Sequence, residues 1–189
     1  MRRRIPVTLG LIAVTAAVFL FVQDGLSGVQ LTGATLAGSV QPPPYVSPIQ
    51  WITGIFLHAS ILHIGVNMYS LYVMGLMVEP AGSPGQYLLL YLGAGVGGNI
   101  VAAYTEPANT VSLGASGAIF GLVGAVLVMA LRMPAGRRTP IIRWVLTILV
   151  LNGAIALAAP DISIAAHAGG FVAGAVLGWL LQYGRPRTV

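Results

Sequence analysis

A chain of 189 residues that is 57% hydrophobic and only 7% charged, with mean hydropathy +0.88, cannot clothe itself in a water-compatible surface; soluble domains carry about 25% charged residues. It reads as an integral membrane protein whose solvent is the lipid bilayer. The absence of cysteine excludes disulfides and thiolate metal ligands, and the net charge of +5 is carried by arginines at the ends of apolar runs, which argues against nucleic acid as a partner.

A spanning helix needs about 20 mostly apolar residues, and six runs come near that length. Arg2, Arg3 and Arg4 precede the first, Ile5–Val22. A basic cluster before an apolar run also fits a signal peptide, but Phe21-Val22-Gln23-Asp24 leads out of it with no small-x-small cleavage site, so it is read as a retained span. The long outer connection, 23–60, is rich in Gly, Ser and Pro (Pro42-Pro43-Pro44, then Pro48) and turns apolar over Trp51–His58. One helix from Trp51 to Val78 would be about 42 Å long, more than a ~30 Å hydrocarbon core requires. Part of 45–60 is therefore expected in the outer interface, anchored by Tyr45 and Trp51; a single long, tilted helix is the alternative.

The remaining spans are Ile61–Val78, Gln86–Tyr104, the run ending at Leu131, Ile141–Ala158 and Ile162–Leu181. Gly117–Leu131 is short, and extension back to about residue 112 restores an ordinary length. The basic residues are all arginine: Arg2, Arg3, Arg4, Arg132, Arg137, Arg138, Arg143, Arg185 and Arg187. Six spans place all of them on one face, while the opposite loops, 23–50, 105–113 and 159–161, contain none. By the positive-inside rule both termini are cytoplasmic. The expected fold is all-α, a single six-helix membrane domain over residues 1–189.

The acids Asp24, Glu79, Glu106 and Asp161 fall at span ends or in loops, so none is placed as an intramembrane carboxylate. Asp161, after Pro160, suits a cap for the sixth helix. The polar groups inside spans are then Ser116, His167 and the set His58, His63 and Asn67; such groups are costly in lipid, face the bundle interior and are often functional. Ser116 opens the fourth span, and His167 lies about 9 Å below the start of the sixth at 1.5 Å per residue. Both spans run from outside to inside, so both residues belong in the outer half of the membrane, in a cavity reached from outside.

Gly170-x3-Gly174-x3-Gly178 and Gly117-x3-Gly121 remove side-chain bulk from one face of each helix and permit close approach. That approach could bring the His167 imidazole to the Ser116 hydroxyl, as general base to nucleophile. His63 and Asn67, at i and i+4, share a helix face and donate hydrogen bonds without fixed charge, as an oxyanion site requires; the Ser116 amide at a helix N-terminus adds a donor. His58, five residues before His63, could support the loop or the donors. Each feature alone also fits helix packing or interhelical hydrogen bonding. Zinc is disfavoured because His58 and His63 do not form His-Glu-x-x-His and no carboxylate accompanies them.

Together these residues resemble the rhomboid family of intramembrane serine proteases, over roughly Ser47 to Gly178. Phe56-Leu57-His58-x4-His63-x3-Asn67 is similar to the family's second-helix signature, Gly114-Ala115-Ser116-Gly117-Ala118-Ile119-Phe120-Gly121 to its nucleophile motif, and Ala166-His167-Ala168-Gly169-Gly170-x3-Gly174 to its base motif. The resemblance implies Ser116 as nucleophile, His167 as general base, and His63, Asn67 and the Ser116 amide as oxyanion donors. Phe120 would be the aromatic that packs on the base. It further implies transmembrane protein substrates cleaved near the outer end of a helix, a cell-membrane location with the site open to the extracytoplasmic side, and no cofactor. Where the family often has Trp-Arg before the second helix, this chain has Ile49-Gln50. Two other classes fit the sequence less well. A helix-binding relative without catalysis would not need both Ser116 and His167, and a small transporter would be expected to carry intramembrane charge or paired broken helices.

Overall fold

Proline at the first helical position and an apolar stretch without breakers start α1, Pro6–Ala17, which widens into a π-helical turn over Val18–Val22 and ends at Gln23. The computed structural model describes residues 4–23, 39–45, 47–107, 110–158 and 162–184; Asp24, Asp161, Arg2, Arg3, Arg185 and Arg187 lie outside them. The next helix, α2, is the short Gln50–Thr53, continued by a 3-10 turn Gly54–Phe56. Helix α3, Ile61–Val78, is capped by Ser60, whose hydroxyl accepts from the His63 N–H, and closes in a 3-10 turn Glu79–Ala81. A reciprocal Ser83/Gln86 capping box with Pro84 behind it starts α4, Pro84–Thr105. The chain continues through α5 (Ser116–Leu131), α6 (Ala135–Ala158) and α7 (Ile164–Leu180).

Three stretches are long and apolar enough to cross a membrane, Ile61–Ala81, Pro84–Thr105 and Ala135–Ile155; three further apolar helices, Pro6–Val22, Ser116–Leu131 and Ile164–Leu180, are shorter.

One alternative falls and two local expectations change. Trp51 and Val78 do not share one helix, because Leu57 (φ −92°, ψ 147°) and Ser60 (φ −162°, ψ 164°) are extended and separate α2 from α3. Helix α5 begins at Ser116 rather than near residue 112. The residues before it pair instead with the first connection: Val40 and Ser112 exchange both backbone hydrogen bonds at 2.8 and 2.9 Å. Gly114 then turns the chain at φ +128°, a left-handed conformation suited to glycine. Such irregular backbone is tolerated at membrane depth only where protein buries it, and Ser112, Gly114 and Ala115 are buried. The α7 cap is Ser163, accepting from the Ala166 N–H at 2.9 Å, rather than Asp161.

Helix α5 is the centre of the bundle, with twelve of its sixteen residues buried. Against it lies α7, and the two touch backbone to backbone. A Cβ added at Gly170 would overlap the Gly117 carbonyl, one at Gly174 would overlap Gly121, and one at Gly178 would stand 3.2 Å from Ala125 Cα. Helix α4 packs on α7 in the same way, a Cβ at Gly98 falling 2.5 Å from the Ala166 carbonyl oxygen. By contrast α6 is peripheral, with 6% of its spanning window buried.

Buried Glu79 ties α1 to this core. Its carboxylate accepts from the Val7 and Thr8 N–H groups at 2.9 and 2.8 Å and from the Thr8 hydroxyl at 2.6 Å. Ile5, the α1 N-cap, has no side chain to offer those N–H groups, so a carboxylate from another helix does the capping and meets the positive end of the helix dipole. The Thr8 proton being spent on Glu79, the Tyr87 hydroxyl 2.9 Å away donates to Thr8. Arg132 binds the far end of α7 through the Trp179 carbonyl at 3.1 Å and the Tyr183 carbonyl, with its guanidinium 5.1 Å over the Trp179 ring.

Gly170→Ala, a single added methyl, should destabilise the bundle by about 1–3 kcal/mol through overpacking. Denaturant titration in detergent micelles measures this, and unchanged stability would refute the backbone contact.

Candidate active site

Three loops and helix ends converge on residues 114–117. The Gly54 carbonyl accepts from the Gly114 N–H at 2.8 Å, anchoring the chain just before α5. His58, in the irregular link between α2 and α3, accepts from the Ala115 N–H through Nε2 at 3.4 Å. It thus holds the backbone of the residue preceding Ser116. Burial, and secondarily the neighbouring His63, lower the His58 pKa to about 3 against the opposing Phe56 backbone carbonyl, so the ring is neutral at any working pH.

His63 lies edge-on to His58, ring centroids 5.0 Å apart. Its Nδ1 accepts from the Ala59 N–H at 3.3 Å. A neutral imidazole with Nδ1 as acceptor carries its proton on Nε2, and that is the atom facing the loop before Ser116: a Cβ at Gly114 would be 3.0 Å from His63 Nε2 and 3.9 Å from Asn67 Nδ2. Asn67 is buried and gives one amide proton to the His63 carbonyl at 3.1 Å, which leaves the second without a bond among the described residues.

On the other side, Gly117 faces Ala166, a Cβ there falling 3.2 Å from the Ala166 carbonyl oxygen. The residue after Ser116 therefore abuts the residue before His167. The His167 ring stacks on Phe120, centroids 4.2 Å apart and planes at 13°. Ser116 and His167 are both half-buried and share no hydrogen bond in this structure; catalytic hydrogen bonds are often long in unliganded enzymes.

Residues 47–184 match the family described as Rhomboid domain. The chain belongs to the rhomboid family. It is 32% identical over 181 residues to YdcA of Bacillus subtilis (strain 168), covering 94% of this chain and 89% of that protein. To the rhomboid protease GluP of the same organism it is 36% identical over 123 residues, 65% of this chain but 24% of GluP. To RHOMBOID-like protein 5 of Arabidopsis thaliana it is 37% identical over 141 residues, 70% of this chain and 45% of that one. The chain thus spans less than half of GluP and of RHOMBOID-like protein 5.

Within this rhomboid, Ile49 is exposed and Gln50 is buried, its Oε1 accepting from the Ser47 N–H at 3.0 Å. At the position where the family often has arginine, a neutral amide braces the start of α2. A cavity of about 280 Å³ reaches His167 from the side, between α6 and α7, walled by Phe120, Leu149, Asn152, Phe171 and Val172. Its wall is mostly apolar, and of the four residues expected to line an outward-facing polar cavity only His167 belongs to it. Among the described residues no cluster of three His, Asp or Glu is arranged to hold a metal.

Two polar residues near the site escaped the sequence reading. Gln23 marked only the exit from the first span, yet it is fully buried and its amide brackets the His58 backbone. Glu106, read as a loop acid, accepts from the hydroxyl of Ser163, the cap of the helix that bears His167. The sole signal for either was a polar residue at the edge of an apolar run.

Phe120→Leu removes the stacked ring while keeping bulk. Aromatic pairing of this kind contributes about 0.5–1.5 kcal/mol, so the reactivity of Ser116 toward a fluorophosphonate should fall by about two- to tenfold. Wild-type reactivity in the variant would show that the stack does not orient His167.

Proposed function

We propose that this rhomboid is an intramembrane serine endopeptidase that hydrolyses peptide bonds in or near transmembrane helices of membrane-protein substrates, with Ser116 and His167 as a dyad. The observation that carries the reading is the convergence at one loop of a serine at a helix start, a histidine ring fixed by an aromatic, and two uncharged donors from α3. The Ser116 hydroxyl oxygen attacks the scissile carbonyl carbon while His167 takes its proton. Negative charge gathers on the former carbonyl oxygen, and the His63 Nε2–H, the Asn67 amide and the Ser116 N–H are the available donors for it. Collapse expels the new amine, which leaves with the proton held by His167. Water, deprotonated by the same imidazole, then releases the acyl group and restores Ser116.

Neutral donors suit this setting. A fixed cation would be costly to bury in a bilayer, whereas imidazole and carboxamide stabilise developing charge with little penalty in the resting state. Support for the membrane arrangement comes from the six apolar helices and the arginine distribution: six spans, both termini cytoplasmic, and the Ser116 end of α5 toward the extracytoplasmic side of a cell membrane. In that arrangement the partners are the lipid bilayer and single-span membrane proteins, with no nucleic acid and no cofactor.

Treatment of the detergent-purified protein with a fluorophosphonate should place an adduct on Ser116, located by mass spectrometry, and Ser116→Ala or His167→Ala should abolish it in folded protein. Persistent turnover by either variant would sink the dyad. Asn67→Ala should lower turnover by roughly 10²–10³, the cost of one oxyanion donor in soluble serine proteases, and an unchanged rate would remove Asn67 from that role.

A further inference from the structure

The end of α1 is wound in a way that serves one side chain. Over Val18–Val22 the helix loosens to a π turn, closed by the Gln23 N–H to the Val18 carbonyl at 3.1 Å. Such single turns recur at functional sites. Here the turn leaves Phe21 84% and Val22 54% exposed while carrying Gln23 inward to 1%.

Inside, the Gln23 carboxamide pairs with both backbone groups of His58. Its Oε1 accepts from the His58 N–H at 2.9 Å and its Nε2 donates to the His58 carbonyl at 3.0 Å. His58 sits between the extended residues Leu57 and Ser60, in no helix, so its buried N–H and C=O need partners from elsewhere. Only a carboxamide supplies one donor and one acceptor side by side without charge. The pairing does what an adjacent strand would do, using one side chain.

We propose that Gln23 is a positioning residue of the active site, clamping the His58 backbone so that its imidazole holds the Ala115 N–H and, with it, the Ser116 loop. The inference rests on the dyad reading. His58 is the joint: its backbone is fixed by Gln23, its Nε2 takes the Ala115 N–H, and its ring lies against His63. Release of the backbone lets the ring rotate away from both the nucleophile loop and an oxyanion donor. The effect is on the rate of the chemical step, because no hydrogen bond joins Gln23 to Ser116 or His167.

Saturation kinetics of fluorophosphonate labelling in detergent micelles test this, with the adduct mapped to Ser116 and rates referred to folded protein. Gln23→Met, similar in length but unable to pair with either group, should lower the maximal labelling rate about tenfold or more and leave the half-saturating probe concentration unchanged. Gln23→Glu, once ionised at high pH, keeps an acceptor for the His58 N–H and loses the donor, so its labelling rate there should fall between; it carries the comparison alone should the Met variant fail to fold. On a His58→Ala background the same Gln23 substitutions should have no further effect. Wild-type labelling rates in the Gln23 variants, a change confined to half-saturation, or losses that multiply with that of His58→Ala would each overturn the clamp while leaving the dyad standing. Wild-type protein that forms no Ser116 adduct would overturn the dyad and the clamp with it.

Discussion

The contact between the backbones of α5 and α7 governs the rest of this molecule. Gly170 and Gly174 on one helix meet Gly117 and Gly121 on the other so closely that a Cβ at either of the first two would overlap the facing backbone. In lipid there is little hydrophobic gain from pressing two apolar helices together, and close packing supplies much of the attraction. The contact also works as a ruler. It sets the axial register of α7 on α5, so that Ala166 faces Gly117 and the next residue, His167, comes over Phe120 one turn below Ser116. Any side chain in the seam would shift all three relations together.

Around that seam the fold solves a second problem, satisfying polar backbone where no water is at hand. Its solutions share a form: a side chain from a distant segment takes up what the local chain cannot. Glu79 caps α1 across the bundle, Gln23 completes His58, Asn99 donates to the Trp51 carbonyl at 2.8 Å, and Arg132 takes the last carbonyls of α7. Each joins two elements far apart in sequence, so the polar groups that would be liabilities in hydrocarbon serve as its cross-links. They also concentrate at the two ends of the bundle, where the helices terminate, and leave the middle to apolar packing and glycine.

Legibility in the sequence followed the range of the interaction. Apolar run length disclosed the helices, because each residue's preference for lipid is a local property. The glycine spacing disclosed the seam, and the i, i+4 relation put His63 and Asn67 on one helix face, the face that meets Gly114. Irregular segments were harder. Extension of the fourth run to residue 112 followed from its hydropathy, but Ser112 pairs with Val40 and Gly114 adopts a left-handed turn, neither of which hydropathy encodes. Gln23 was invisible in its role for the same reason: its partner is 35 residues away, and only a π turn aims it there. Ser163 took the cap from Asp161 because the helix starts later than the apolar run does.

Among the described residues no carboxylate bonds His167 to orient it as the base of the proposed dyad, and packing takes that place. In a triad an acid fixes the tautomer and tilt of the histidine; a third charged group at this depth would carry a heavy desolvation cost. Stacking on Phe120 constrains the plane of the His167 ring, and the α5–α7 seam constrains its height. What remains free is rotation within the plane, which the serine hydroxyl itself can settle once substrate excludes competing partners. Orientation by packing is weaker than orientation by a buried ion pair, and it makes the geometry of the proposed dyad a property of the whole helix interface rather than of one residue. That is why the glycines of the seam belong to the site as much as the groups that would carry the chemistry.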